Sequence, residues 1–149
     1  MTLPDMTADV MHSACARLGT SFLADASSAE ISYPLEGVLH GIYRRPLVSC
    51  VVGHKHRQIA KHVLFVIDST SPFTYLSDAT LEALEYGTMA NCMPAVVHGK
   101  NMTVYRAPRG KQFADANVMG TDFLRDTQLS VTLDYATLRV EVIANARAV

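Results

Sequence analysis

A run of five apolar residues, Val-Leu-Phe-Val-Ile at positions 63–67, stands near the middle of the chain. A strand that is apolar on both of its sides is typical of one that is buried on both faces of a sheet. We therefore expect residues 59–67 to form a central strand. All five side chains of the run should be buried: Val63, Leu64, Phe65, Val66 and Ile67.

Short apolar segments bounded by turn residues recur through most of the chain after Tyr33, a spacing that is typical of strands. The segment 96–105 has the pattern of a hairpin, with Gly99 in its turn. The pattern as a whole indicates an all-β fold. The predicted strands cover residues 37–42, 46–53, 59–67, 74–76, 95–98, 103–106, 112–118, 130–135 and 138–144.

Three segments have helical spacing. Residues 4–19 place Met6, Val10, Met11, Ala14 and Leu18 on one face, and Gly19 provides a C-terminal stop. This helix could cover the protein's own sheet or contact a partner. Two short helices are predicted within the β region: one over residues 77–84 with Ser77 as its N-cap, and one capped by Thr121 that runs towards Thr127. We expect an N-terminal helix and linker over residues 1–30, with residues 21–32 polar, and a β domain over residues 31–145.

The composition indicates one compact domain. A chain of 149 residues buries about 70% of its unfolded surface. Its apolar content is 49%, its charged content 18% and its mean hydropathy +0.13. This apolar surplus fits an additional buried interface, although membrane association could also explain it. Because the net charge is −1, we expect no nucleic-acid partner.

No segment approaches the roughly 20 apolar residues that a membrane-spanning helix requires. The first nine residues carry acidic side chains instead of the basic and apolar pattern of a signal peptide. We therefore expect a cytoplasmic protein that has no membrane partner.

Cysteine and histidine spacings do not favour a metal or cofactor site. Cys15, Cys50 and Cys92 have no metal-ligand spacing, and Cys50 fits a small core residue. His54, His56 and His62 cluster between two predicted strands, but Lys55, Arg57 and Lys61 flank them and would repel a cation. A solvated basic hairpin tip is the preferred interpretation, and we expect no metal and no cofactor.

Asp68 is the strongest candidate for chemistry. It follows the buried strand directly and precedes three small hydroxyl residues, Ser69, Thr70 and Ser71. A carboxylate at the mouth of a buried strand is costly unless it is hydrogen-bonded or shares a proton. The simpler explanation is that Asp68 caps a turn through the backbone that follows it.

The order of motifs resembles the retropepsin family, the aspartic proteases of retroviruses and retroelements and their cellular relatives. Arg-Pro-Leu-Val at 45–48 precedes Asp-Ser-Thr-Ser at 68–71, and Asn-Val-Met-Gly-Thr-Asp-Phe-Leu at 117–124 follows. The resemblance covers residues 30–143 and implies a small closed barrel of the acid-protease fold. It also implies that Asp68 is the acid/base and that Ser69 hydrogen-bonds across a two-fold axis. It assigns Asp122 a structural role, and Asp115 and Asp134 are expected to be surface charges.

Two features depart from the family pattern. Thr70 stands where the family has glycine, and it adds a β-branched side chain beside the carboxylate. Asp68 and Gly120 are 52 positions apart, which is short for a chain with a full flap hairpin between them, and residues 85–94 lack a glycine-rich flap centre. The hairpin at 96–105 could be a shortened flap or the inner hairpin that follows one. Both departures indicate impaired catalysis.

The implied mechanism needs two carboxylates that share one proton. The chain offers one matching aspartate, so the second must come from a symmetry mate in a C2 homodimer. Three interpretations follow. The first is a homodimeric retropepsin-like domain with weakened or lost peptidase activity, a pseudoenzyme that acts in dimerisation or protein binding. The second is an active aspartic endopeptidase that cleaves a polypeptide substrate. The third is an unrelated β-barrel binding module in which Asp68 only caps a turn.

Overall fold

A computed structural model of the protein describes residues 5–108 and 115–145, and most of them lie in nine strands and three short α-helices. A single 3₁₀ turn, Ser28–Glu30, lies in the predicted linker. The helices are α1 (Ala8–Arg17), α2 (Asp78–Ala83) and α3 (Thr121–Asp126). The strands are β1 (Leu35–His40), β2 (Arg45–His54), β3 (Ala60–Ile67), β4 (Tyr75–Leu76), β5 (Cys92–Val97), β6 (Lys100–Arg106), β7 (Asn117–Met119), β8 (Leu129–Asp134) and β9 (Arg139–Ala144).

Six of the strands form a closed barrel. Neighbouring strands pair in the order β3-β7-β4-β6-β5-β2, and the ring closes because β2 also pairs with β3. The longest of these pairings is antiparallel and joins Leu47–Gly53 of β2 to Ala60–Val66 of β3. The remaining strands extend the sheet from β2 in the order β1-β9-β8. The all-β prediction with short helices is therefore confirmed, and the barrel is closed.

β7 occupies an unusual place in the ring, because it lies between β3 and β4, two strands that are consecutive in the chain. It pairs in parallel with the end of β3, where Ile67 faces Met119, and antiparallel with β4. The loop between β3 and β4 must therefore pass over the end of β7. This arrangement brings residues 68–74 against residues 120–122.

The barrel interior holds the main apolar core. The side chains of residues 63–67 are all at most 8% exposed, as predicted. Phe65 belongs to one buried cluster that also contains Leu76, Leu81, Val104 and Phe123. Cys50 is also a core residue, and burial raises the pKa of its thiol to about 12.

α1 covers the outer side of the barrel wall. Met11, Ala14 and Cys15 of the helix are fully buried in a second cluster with Leu47, Leu64, Val66 and Val118. The predicted apolar face is thus confirmed, and it covers the protein's own sheet. The helix is shorter than the predicted span 4–19, because the Thr7 side chain accepts a bond from Val10 N and caps the start. Residue 4, the first of the predicted helix, lies outside the described part of the chain.

Two other local predictions need correction. Thr121 is not the N-cap of α3: Gly120 holds that position, and the Thr121 hydroxyl donates to Ser71 O instead. Only the end of the predicted strand 112–118 is a strand, β7. Residues 112–114 lie outside the described residues, and the strand begins at Asn117. The Ser77 cap of α2 is confirmed, because its side chain accepts from Thr80 N.

The hairpin at 96–105 belongs to the barrel wall. β5 and β6 pair with each other, β5 also pairs with β2, and β6 also pairs with β4. The two-residue turn between them places His98 and Gly99 at positive φ. It is therefore not a projecting flap. In the described part of the chain, no helix has both the length and the apolar character that crossing a membrane requires.

Candidate functional site

The Asp68 loop leaves the barrel at the end of β3. Its backbone continues the β3–β7 pairing for one step, because Asp68 N donates to Met119 O at 3.0 Å. Ser71 N then donates to Asp68 O at 3.2 Å, which closes a tight turn. Asp68 is half-buried, whereas Ser69 and Thr70 are exposed at the tip of the turn. The sequence prediction that a carboxylate stands at the mouth of a buried strand is therefore correct in geometry.

The two carboxyl oxygens of Asp68 have different surroundings. Oδ1 accepts two bonds from Thr70, one from the backbone N at 2.9 Å and one from the hydroxyl Oγ1 at 2.6 Å. Oδ2 is buried and has no hydrogen-bond partner among the described residues. An unpaired buried carboxyl oxygen is costly, so it marks a place where a further hydrogen-bond donor would be stabilising.

Thr70 therefore does more than add bulk beside Asp68. Thr70 has a negative φ, so the turn does not require glycine at this position. Its hydroxyl donates to the Asp68 carboxylate. A short bond between a hydroxyl and a charged oxygen is among the stronger hydrogen bonds in proteins.

The turn at Gly120 fixes the Asp68 loop from the other side. Thr121 N donates to Ser71 O at 2.8 Å. A Cβ atom added to Gly120 would lie 2.2 Å from Phe73 O and 2.8 Å from Ser71 O. Only glycine allows the two backbones to approach this closely. The Gly of the second motif is therefore explained by its contact with the first motif.

Asp122 is a structural residue, in agreement with the role that the resemblance assigned to it. Its carboxylate accepts from the Thr74 hydroxyl at 2.6 Å and from Thr74 N at 3.1 Å. The Thr74 hydroxyl oxygen in turn accepts from Gly120 N. Thr74 is fully buried, and the pair ties the end of the Asp68 loop to the start of α3.

Asn117 is a buried linking residue that the sequence argument missed. Its side-chain amide donates to Leu64 O at 3.2 Å, and its oxygen accepts from Ser77 N at 2.9 Å. The residue therefore joins β3, β7 and the start of α2. A single amide in the apolar stretch Ala-Asn-Val-Met is the signal that could have identified it, because a buried polar group requires partners.

An aromatic group lies beside the Asp68 loop. The ring of Phe73 contacts the ring of Tyr105 with centroids 4.7 Å apart, and Tyr105 lies 6.1 Å from Tyr75. The Phe73 side chain is 42% exposed, which is high for a large apolar residue. The loop therefore carries an apolar surface next to its hydroxyl-rich tip.

The segment 85–91 is held down on the barrel. Residues 85–91 contain no strand. The guanidinium of Arg106 donates to Ala90 O and Gly87 O within this segment, and it pairs with Asp78 of α2. Arg106 N also donates to Asn91 O. These contacts fix residues 85–91 to the end of β6, at Arg106. The segment therefore does not project from the barrel as a long hairpin.

The histidines do not converge on one point. The His54 ring stacks on Tyr86 and accepts from His56 N and Arg57 N, whereas His62 pairs with Glu30 at 3.2 Å. Lys55, His56 and Arg57 are exposed at the β2–β3 connection, as expected for a hairpin tip. Among the residues that the structure describes, no three His, Cys, Asp or Glu side chains are placed to hold a metal ion.

His98 has a structural role in the β5–β6 turn. It is 5% exposed, its Nδ1 accepts from Val51 N at 3.2 Å, and its Nε2 lies 2.9 Å from Ser32 O. Because Nδ1 accepts, a neutral ring carries its proton on Nε2 and donates to Ser32 O, and Ser32 N lies further from Nε2, at 3.3 Å. Burial lowers the pKa of His98, although the bond to Ser32 O opposes that effect.

The other two aspartates considered from the sequence are surface residues. Asp115 is exposed. Asp134 is also exposed and accepts from Ala136 N and Thr137 N in the β8–β9 turn. These backbone bonds, with Thr137 the largest contributor, lower the pKa of Asp134. Neither residue adds a second carboxylate to the Asp68 loop.

Comparison of the chain with protein-family models, with curated proteins and with solved structures finds no match.

Proposed function

We propose that the chain is a retropepsin-like domain that forms a homodimer, with peptidase activity that is weakened or lost, and that it acts through dimerisation or through binding of polypeptides. The observation that carries this proposal is the junction of two distant segments. The Asp68 loop and the Gly120 turn are locked together by backbone bonds, and Gly120 has no space for a side chain. The two segments, 68–71 and 117–124, are two of those on which the resemblance to the retropepsin family is based.

The surroundings of the carboxylate favour impaired catalysis. A general base must lie within hydrogen-bond reach of the proton that it abstracts. The hydroxyl and the amide of Thr70 both donate to Oδ1 of Asp68, which leaves only Oδ2 to accept from a water. Arg106 also fixes the 85–91 segment to the barrel, so this segment is poorly suited to close over a substrate and exclude water.

An active endopeptidase is the second candidate, and one observation favours it. Oδ2 of Asp68 has no partner in the single chain, and this is the oxygen at which a proton shared with a second carboxyl would sit. The third candidate, a binding module without catalysis, is favoured by the bond from Thr70 N to Oδ1. That bond is the turn cap that Asp residues commonly form.

The experiment that tests the proposal compares peptidase activity on an unfolded polypeptide for wild type and three variants. The variants are Asp68→Asn, Thr70→Gly and Thr70→Val. We expect wild type to show little or no cleavage between about pH 4 and 7. Thr70→Gly removes both the hydroxyl and the bulk, whereas Thr70→Val removes only the hydroxyl.

Cleavage that appears in Thr70→Gly, and disappears when Asp68→Asn is added, would support a silenced protease site. Cleavage in Thr70→Val as well would assign the silencing to the hydroxyl bond. Robust cleavage by wild type that Asp68→Asn abolishes would contradict the proposal and establish the active endopeptidase. Asp9→Asn, an exposed acid on α1, is the matched control and should change nothing in any of these assays.

A further inference from the structure

The connection between β2 and β3 carries a dense group of basic side chains. Four of the five residues at 54–58 are histidine, lysine or arginine, and none is acidic. The middle three, Lys55, His56 and Arg57, are exposed. We call residues 54–58 the basic tip. The function proposed for Asp68 uses none of these side chains.

The basic tip lies at the far end of β3 from the Asp68 loop. It precedes Ala60, the first residue of the strand, whereas Asp68 follows Ile67, the last. The eight residues of β3 span roughly 26 Å. The tip and the Asp68 loop are therefore separate surfaces, and a group bound at one does not contact the other.

Two aromatic side chains hold the backbone of the basic tip in place. The ring of His54 stacks on the ring of Tyr86, with centroids 4.1 Å apart and planes 10° apart. Nδ1 of His54 accepts from His56 N at 3.0 Å and from Arg57 N at 3.2 Å. The Tyr86 hydroxyl accepts from Lys55 N at 3.1 Å. Three consecutive backbone N–H groups are thus bonded to these two rings, which fixes the path of the tip.

The acceptor role of His54 requires a neutral ring, because a nitrogen that accepts carries no proton. Burial, together with the charges of Arg57 and His56, lowers the pKa of His54, and Glu85 opposes that effect. The ring therefore keeps its two backbone bonds at pH 7. The positive charge of the tip at this pH comes from Lys55 and Arg57.

Oxygen atoms of the chain already lie on both cationic side chains. Lys55 Nζ donates to Asn101 Oδ1 at 2.6 Å, and Arg57 Nη1 donates to Glu85 Oε1 at 3.3 Å. The side chains of Arg57 and Glu85 are 58% and 57% exposed, so water competes for this ion pair and the pair contributes little to stability. A carboxylate from another molecule can therefore replace Glu85 at small cost. The existing pair also shows that a carboxylate fits against Arg57.

We propose that the basic tip binds an acidic polypeptide segment, whose aspartate or glutamate carboxylates pair with Lys55 and Arg57. Charge complementarity favours this partner, since the tip has two cationic side chains and no acid. The net charge of the chain is −1, which gives no long-range attraction for a nucleic acid, whereas a short acidic segment needs only the local charge of the tip. The proposal does not depend on the function of Asp68.

Fluorescence anisotropy tests this proposal, with a labelled peptide of alternating glutamate and glycine titrated with the full chain. At about 0.05 M salt, charges act over distances longer than about 10 Å, so weak binding is detectable. Lys55→Gln combined with Arg57→Gln should weaken binding about tenfold, because two exposed ion pairs are lost. Arg44→Gln combined with Arg139→Gln is the matched control. It removes two exposed guanidinium charges near the opposite end of β2 and should leave the affinity unchanged.

Tyr86→Phe separates a built site from general attraction between charges. It removes the hydroxyl that accepts from Lys55 N, but it keeps the ring beside His54 and every charge. Binding should weaken about threefold, because the path of the tip is then less well fixed. An affinity equal to that of wild type would overturn the ordered site. Circular dichroism of each variant checks that the fold is retained.

The remaining outcomes are equally decisive. Failure of wild type to bind the peptide at low salt would overturn the proposal, as would an equal loss in the Lys55 and Arg57 variant and in its control. A labelled oligonucleotide and vesicles of anionic lipid are the comparison arms. Tighter binding of either one than of the peptide, lost in the same variant, would assign the tip to that partner and overturn the acidic polypeptide.

Discussion

The bond between Thr70 and Asp68 can be measured as a coupling free energy. The Thr70 hydroxyl lies 2.6 Å from Oδ1 of Asp68, and the Thr70 backbone N lies 2.9 Å from the same oxygen. Thr70→Val removes the hydroxyl and keeps the shape and the backbone bond. Asp68→Ala removes the acceptor for both bonds. The double variant therefore completes a cycle that isolates the hydroxyl bond.

Hydrogen bonds to charged groups contribute about 1.5–3 kcal/mol when they are shielded from water. Thr70 is exposed, so water competes for both partners and the value should be smaller. We expect a coupling of about 1 kcal/mol between the two positions. Asp68→Ala alone should cost more than Thr70→Val alone, because it also removes the turn cap.

The assay is urea unfolding followed by far-ultraviolet circular dichroism, at a protein concentration low enough to keep every variant monomeric. Thr70→Ser is the matched control, since it retains the hydroxyl and should keep most of the coupling. A coupling below about 0.3 kcal/mol, within the usual error of additivity, would show that the hydroxyl does not hold the carboxylate in solution. The proposal that this bond weakens or abolishes peptidase activity would then fail.

Three further predictions concern the scaffold. Phe65→Ala should lower the free energy of unfolding by about 3–5 kcal/mol, because Phe65 is fully buried, and a loss below about 1 kcal/mol would contradict the central position of β3. Gly120→Ala should destabilise the chain by at least about 1 kcal/mol, because the new Cβ would lie 2.2 Å from Phe73 O. Gly87→Ala is the control, because no atom lies within 4 Å of its added Cβ. Equal effects of the two substitutions would contradict the close approach of the Gly120 and Phe73 backbones. Stability should fall as the pH drops below the ordinary His98 pKa of 6.5, because burial lowers that pKa in the folded state and the unfolded chain binds the proton first. The loss of stability should level off once folded His98 is also protonated. His98→Gln should make the free energy of unfolding depend less steeply on pH in this range. An unchanged pH dependence would assign the effect to His40 and His54, whose pKa values burial also lowers.

The strands could be predicted from the sequence because their signals are local. The apolar run at 63–67 alone was sufficient to place β3 at the centre, and the Gly99 turn placed the β5–β6 hairpin. The errors have two causes, a long-range contact that overrides a local preference and a turn whose position was misjudged. Thr121 has a good capping side chain, yet its hydroxyl donates to Ser71 O, 50 residues earlier in the chain. β1 begins and ends two residues earlier than expected, because residues 41–44 form the turn with Gly41 and Arg44 at positive φ.

The candidate site was predictable in its residues but not in its bonds. Asp68 and the Gly120 motif stood out because each breaks an apolar segment. The contacts that hold them together join residues 40 or more positions apart, such as Thr74 with Asp122 and Ser77 with Asn117. No local pattern specifies such pairs, since they depend on β7 entering the ring between β3 and β4. The Thr70 bond to Asp68 spans two residues, so the turn chemistry of Asp could have suggested it.

The central claim is that two copies of this chain place their Asp68 carboxyls face to face, and a crystal structure of the protein in its solution oligomer tests it most directly. The account predicts a two-fold dimer in which Asp68 oxygens of the two copies lie about 3 Å apart, close enough to share a proton, with each Thr70 hydroxyl still on its own Oδ1. A dimer whose Asp68 carboxyls point into solvent on separate surfaces would contradict it. Asp68 would then be a turn cap, and the chain a β-barrel module without a protease site.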